Sequence, residues 1–292
     1  MSGIALHRLS SASIELELLP AAGARVHRLK VFGQDVLRTP GDPHLHARDP
    51  FFWGAYHMAP WCNRLETRPV QVGRRTIELT SNFRDGTAIH GQVYQRPWIE
   101  EGDGRFSVSA GGNGWPWPYT VRVLAQVGDR SVSLAQTVTN RADESMPTGL
   151  GWHPWFRKPV EVAIRAATVI PSNSDPAATR QPVLGAYDLR QLEAMAADLD
   201  ATWTDLAQPA VELRWSDIRI RAMVRIAAEA RFVAAASPRD IDAVAVETQT
   251  HAPFGLSRTL HGRHGGLALL GPGGSLTLTT DLEFNTLQED SR

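Results

Sequence analysis

The feature that most restricts what this chain can fold into is a recurrent alternation of period two. In "SIELELL", Ile14, Leu16 and Leu18 fall on one side of an extended backbone, with Glu15 and Glu17 on the other, the pattern of a strand with one face buried. "YTVRVLAQVGDRSVSLAQTVTN" sets Val121, Val123, Ala125 and Val127 on one face, breaks at Gly128-Asp129 and resumes with Val132, Leu134 and Val138. This is the clearest hairpin in the sequence. Shorter alternations recur in "VQVGRRTIELT", "PVEVAIRAATVI", "VELRWSDIRIRAMV" and "GGSLTLTTDLEF", with glycine, asparagine, aspartate or proline between them. The pattern predicts many β-strands joined by turns. Helical spacing occurs only in "DLRQLEAMAADL", where Leu189, Leu192 and Met195 share a face and predict one short helix from Asp188 to Leu199.

No fixed-period repeat and no glycine–serine or charged linker divides the 292 residues. One domain over 1–292 is expected, since large β-sandwiches and barrels reach this length as one unit. The proline-rich stretches "TPGDPH" and "IPSNSDPAATRQP" are expected as long surface loops, where binding groups are commonly carried. Lys plus Arg total 30 against 31 Asp plus Glu, a formal charge of −1, and no polybasic run occurs, so a nucleic-acid partner is not expected. Cys62 is the only cysteine, which excludes an internal disulfide and a cysteine-based metal cluster and fits a reducing compartment. "MSGIALHRLSSASIELELLP" lacks a basic start followed by an apolar core, and no apolar stretch reaches spanning length. A cytoplasmic protein with no membrane partner is expected; the sequence is silent on oligomeric state.

Several motifs have bland readings. "GPGGSL" has no following Lys-Ser/Thr and no strand-to-helix context, so it reads as a tight turn rather than a phosphate cradle. The pairs His44/His46 and His261/His264 have no carboxylate or cysteine partner in an evident motif and read as loop histidines, so no metal site is expected. Cys62 precedes Asn63-Arg64, where the arginine could depress a thiol pKa, but a lone cysteine reads first as inert packing. The nine tryptophans, among them Trp53, Trp61, Trp98, Trp115, Trp117, Trp152, Trp155 and Trp203, read singly as core. Clustered beside histidines and prolines, they favour a carbohydrate cleft, because indole faces match the C–H faces of sugar rings.

Four stretches, taken in order, resemble a known family. "NRLETRPVQVGRRTIELTSNFRDGTAIHGQVYQRPW" is similar to the aldose 1-epimerase (galactose mutarotase) segment that carries an Asn-Arg pair, a hairpin, an asparagine, His-Gly and a downstream tryptophan. "GLGWHPWF" resembles that family's His-Pro-Tyr-Phe segment, "YDLRQLEAMAADLDATW" its Asp-Leu-Arg and Leu-Asp stretch, and "AVAVETQTHAPFG" the strand of its catalytic glutamate. The resemblance implies an all-β fold, a large antiparallel β-sandwich of the galactose mutarotase-like supersandwich type. It implies interconversion of the anomers of a small-molecule aldose without a cofactor, and its substrate range includes sugar phosphates. Carried over by motif, Glu247 is the general base and His153 the general acid. His90, Arg64 and Asp200 hold the sugar, with Asn82 and Gln249 as neighbours. The sequence departs from the family pattern at Gln92, Trp155 and Thr248; these leave acid and base intact and bear on pocket shape and on which sugar is taken.

The chemistry asks for the same residue types. Opening a pyranose removes the anomeric hydroxyl proton and protonates the ring oxygen, so one base and one acid must meet a single C1–O5 unit. Neither metal nor redox cofactor is needed. A glutamate with an ordinary pKa is ionised at neutral pH, whereas an imidazole needs a neighbouring carboxylate to stay protonated, a part Asp200 could play. Two other readings stay open: a non-catalytic carbohydrate-binding module using the same tryptophans, and a glycoside hydrolase using Asp200 and Glu247 as its carboxylate pair.

Overall fold

The computed structural model describes residues 5–287. Residues 1–4, which open the N-terminal stretch read above, and residues 288–292 lie outside the described part. The alternating segments form strands where expected. "YTVRVLAQVGDRSVSLAQTVTN" is a hairpin in which Trp115–Val127 pairs antiparallel with Ser131–Asn140, from Tyr119 opposite Asn140 to Val127 opposite Val132. Ile14, Leu16 and Leu18 of Ile14–Leu19 are fully buried. Glu17, expected to face solvent, is buried as well and pairs with Arg8 at 2.9 Å.

Seventeen strands join one curled antiparallel sheet. From one end, Ile99–Gly102, Arg105–Gly112, Trp115–Val127 and Ser131–Asn140 lead to Ser275–Thr286, Ile220–Ile226 and the second half of Asp200–Trp215. That 16-residue strand makes the corner. Its residues 211–215 pair with Ile220–Ile226, whereas residues 200–204 pair with Phe232–Ala236. The ladder then continues through Ala243–Gln249, Gly151–Arg157, Ala55–Met58, Arg25–Val31 and Ile14–Leu19. Both halves bury residues in one core, where Trp117, Val121 and Leu134 of the first meet the same cluster as Trp152, Phe156 and Val246 of the second. The fold is all-β, as the alternation predicted, and a large antiparallel sandwich, as the resemblance implied.

The helix expected from Asp188 to Leu199 is not formed. The segment runs along the edge of Glu161–Ile170 instead: Ile164 N–H donates to the Leu189 carbonyl at 2.6 Å and Val162 N–H to the Glu193 carbonyl at 2.8 Å. Tertiary hydrogen bonding overrides helix propensity here, because the edge groups would otherwise be unpaired. Of the expected face, Leu189 and Met195 are still buried and Leu192 is half-buried, so the apolar positions were legible in part while their period was not. The α-helices present are the short Leu45–Arg48 and Gly255–Leu260. No helix among the described residues is long and apolar enough to cross a membrane.

Candidate active site

Gly151–Arg157 lies between Ala55–Met58 and Ala243–Gln249. On one side His153 pairs with Tyr56. On the other, Gly151 faces Gln249, Trp152 faces Thr248 and Trp155 faces Ala245; this constant register sets His153 opposite Glu247. Glu247 in turn pairs with Ala234, and Ala234 with Thr202. Tyr56, His153, Glu247, Ala234 and Thr202 thus form a row across five strands, and residues in such a row share a face. The period of two does the sorting. Trp152, Phe156, Val244 and Val246 enter the main core, whereas Trp155 and Ala245 join His153 and Glu247 on the opposite face. "GLGWHPWF" is therefore split, one tryptophan to the core and one to the site.

That face opens on a cavity of about 340 Å³. Arg64-Leu65 pairs with Ala88-Ile89 and carries Arg64 and His90 to its wall. Asn63 and His90 adopt positive φ values of 51° and 65°, backbone that is uncommon outside glycine and recurrent at functional sites. Gly91 is required beside them, since a Cβ there would lie 2.0 Å from the Ala59 carbonyl oxygen.

Nε2 of His153 is 3.2 Å from Oε1 of Glu247. Gln249 donates to the other oxygen at 2.6 Å. His90 meets His153 edge-on with centroids 4.9 Å apart, and Tyr56 stacks on it at 4.5 Å. Donor atoms of His90, His153 and Glu247 all lie within 4.8 Å of one another, so one small group can meet all three. Arg64 donates to Asp85 at 2.7 Å and lies 3.3 Å from Asp200. Asn173 donates to the second Asp200 oxygen at 2.5 Å and accepts from Thr202 at 2.6 Å.

Burial dominates the protonation of the pair. It lowers His153 to about 3 and raises Glu247 to about 8, the Gln249 and Arg64 contacts opposing that rise and Asp200 adding to it. It also holds His90 well below the usual imidazole range. Between those limits the coupled pair holds one proton, which burial favours on the carboxyl because both members are then uncharged. The expectation of an already ionised Glu247 and an imidazole supported by Asp200 is thereby revised: the carboxyl beside His153 is Glu247 itself, and Asp200 is engaged by Arg64 and Asn173.

Glu247, His153, His90, Arg64, Asp200 and Trp155 all line the cavity. Two expected neighbours do not. Asn82 clamps its own loop, donating to the Ile89 carbonyl and Tyr94 hydroxyl and accepting from Ile89 N–H at 2.7 Å. Gln249 is fully buried behind Glu247. Of the tryptophans, only Trp155 lines the cavity among the described residues, and its indole N–H is committed to the Phe51 carbonyl. Trp61, Trp98, Trp115, Trp117, Trp152 and Trp203 fill the core, and Trp53 lies against Arg38. Phe51, Phe52 and Phe83 supply the aromatic wall instead. Together with Tyr56, Asp85 and Asn173 they escape sequence reading. The only available signal was period: Tyr56 lies two residues from Met58 on one face of a short strand.

The remaining motifs behave as bland features. Cys62 is buried with its thiol pushed far up by desolvation. "GPGGSL" is a turn closed by Gly274 N–H to the Gly271 carbonyl at 2.9 Å. His44 is exposed, but His46, expected as a loop histidine, lies in Leu45–Arg48 and is buried against Arg25 and His27. His261 is exposed and bonds the Ser257 carbonyl, and His264 packs on Phe232.

Residues 14–249 match the family described as aldose 1-epimerase. The uncharacterized protein YphB of Escherichia coli (strain K12) is 23% identical over 166 residues, 55% of each chain, so the match spans about half the length of this curated relative. A proposed aldose 1-epimerase of Escherichia coli K12 superposes with a TM-score of 0.83 at 19% identity, over 98% of this chain and 100% of that one. The GalM/aldose epimerase homologue of C. elegans gives 0.83 at 15%, over 97% and 99%. Galactose 1-epimerase from Lactobacillus acidophilus NCFM gives 0.76 at 14%, over 97% and 95%. At these identities the likeness establishes a shared galactose mutarotase-like fold.

Proposed function

The chain belongs to the aldose 1-epimerase family, and on that premise we propose that it interconverts the α and β anomers of a free, uncharged aldose by acid–base ring opening at Glu247 and His153. The observation that carries this reading is the 3.2 Å contact between His153 Nε2 and Glu247 Oε1 at the wall of the cavity. Proton transfer along that contact converts the neutral pair into carboxylate and imidazolium. Glu247 then takes the proton of the anomeric hydroxyl while His153 gives its Nε2 proton to the ring oxygen; the C1–O5 bond breaks as the C1 carbonyl forms. Rotation about C1–C2 presents the other carbonyl face, and closure returns both protons. Groups held in place for such transfers contribute about 10²–10⁴-fold.

His90 and Arg64 are the donors nearest the developing oxygen charge, and Trp155, Phe51 and Phe83 offer faces to the ring C–H groups. Charge supports an uncharged sugar. Asp85, Asp198 and Asp200 line the cavity with Arg64 and Arg84, Glu247 being neutral at rest; Arg64 already faces two carboxylates and Asp198 is paired with Arg239. A phosphate would meet one uncommitted arginine at most. The glycoside hydrolase reading loses ground because Asp200 is bound to Arg64 and Asn173, and the close reacting pair is an acid and an imidazole.

The test is anomer exchange from a freshly dissolved single anomer, followed by polarimetry or NMR. Faster equilibration with protein supports the proposal. Sugar binding without acceleration supports a binding module, and release of alcohol from a glycoside supports a hydrolase.

A further inference from the structure

A buried cation lies behind the Tyr56 ring, and the proton transfers above do not use it. Arg25 is 0% exposed. Its Nε donates to the Ala22 carbonyl at 3.1 Å, and its Nη2 to those of Pro50 and Tyr94 at 3.0 and 3.1 Å. Nη1 is 3.0 Å from Nδ1 of His46. A guanidinium only donates, so His46 Nδ1 accepts and the His46 proton sits on Nε2, which is 3.0 Å from Nδ1 of His27 and donates to it. The bonds therefore run away from Arg25 in one direction and give it no counter-charge. Burial lowers its pKa to about 10, with Asp49 acting from a distance, so the charge persists at neutral pH.

That charge is 5.2 Å from the centroid of the Tyr56 ring, and the same ring stacks on His153 at 4.5 Å and 24°. A protonated His153 would be a second cation against one aromatic side chain in a dry site, where repulsion is weakly screened. The other groups that face His153 are Glu247, which favours the imidazolium, and His90, which burial keeps neutral. Arg25 in turn faces His46, Tyr56 and Tyr94. We propose that Arg25 is a positioning residue that keeps the shared proton of the pair on Glu247 in the resting site and makes the transient His153 imidazolium a stronger acid towards the ring oxygen. The second half of this rests on the acid–base reading of the pair. The first half is a statement about charge alone.

Three variants test it. Arg25→Gln removes the charge, His46→Asp neutralises it in place, and Arg25→Lys retains it. The readouts are the imidazolium fraction of His153 at pH 6, from ¹⁵N shifts of labelled histidine, and the pH profile of anomer exchange. Arg25→Gln and His46→Asp are each expected to raise that fraction about tenfold. They should also move the alkaline limb to higher pH and raise kcat while KM changes little, because the imidazolium gains more in population than it loses in acidity. Arg25→Lys should restore the parent fraction and profile. An unchanged His153 fraction in either charge-removing variant overturns the proposal, as does a Lys variant that shifts as far as Gln. Where Arg25→Gln does not fold, His46→Asp decides. If the parent protein exchanges no sugar, the proposed function fails, while the ¹⁵N readout still tests the field of Arg25.

Discussion

Gln249, two residues along the same strand face from Glu247, donates its amide to Oε2 of that carboxyl at 2.6 Å. With His153 at the other oxygen, the carboxyl is held from both ends and its rotation is fixed before any sugar arrives, the preorganisation a proton transfer needs.

Glu247→Gln and His153→Asn are each expected to reduce anomer exchange at least about a hundredfold, the scale of one positioned acid or base. Polarimetry gives the rate, and thermal melting shows whether the fold survives. Near-normal exchange in both variants would remove the pair from the chemistry.

The pH profile should carry an alkaline limb near the value to which burial raises Glu247, about 8. Above it the pair has lost its one proton and cannot protonate the ring oxygen, so kcat/KM falls as pH rises.

Stability should follow the same groups. Glu247 is raised from 4.5 to about 8, so the folded state binds more protons than the unfolded state in that window, and this contribution declines as pH rises through it. His153, lowered from 6.5 to about 3, acts oppositely and adds stability as pH rises between those values. Melting temperatures of the parent and Glu247→Gln across pH 5–9 check the first effect: the glutamine variant should lack the alkaline decline.

Arg64→Ala and Asn82→Ala should separate site from scaffold. Loss of Arg64 removes a charged donor from the cavity, with an expected rise in KM of about tenfold or more. Loss of Asn82 leaves both the N–H and carbonyl of Ile89 without a partner, costing about 1–3 kcal/mol of stability with kcat nearly unchanged. A kcat collapse in a folded Asn82→Ala protein would return that residue to the site.

A hexose 6-phosphate should be exchanged at least about tenfold less efficiently than the free hexose, with the gap narrowing as salt screens the carboxylates. Equal kcat/KM for the two would show that the commitment of Arg64 to two carboxylates does not control entry.

The amino-acid order alone determined the β character of the chain and which residues share a strand face, because side-chain direction in an extended backbone is a local property with a period of two. That is why His153 and Trp155, or Glu247 and Gln249, could be grouped within their own segments; Glu247, His153, His90, Arg64 and Asp200 were expected from the resemblance to the family's motifs. Tertiary structure decided what no local period encodes. Strand register set His153 opposite Glu247 rather than beside Asp200, and burial then reversed the expected charge states of both. Edge pairing with Val162 and Ile164 drew Asp188–Leu199 out of the helix its spacing predicted. Packing sent most tryptophans to the core and left phenylalanines and Tyr56 at the site. Each outcome depends on free energies of contact between segments far apart in the chain, and those exist only once the sheet has closed.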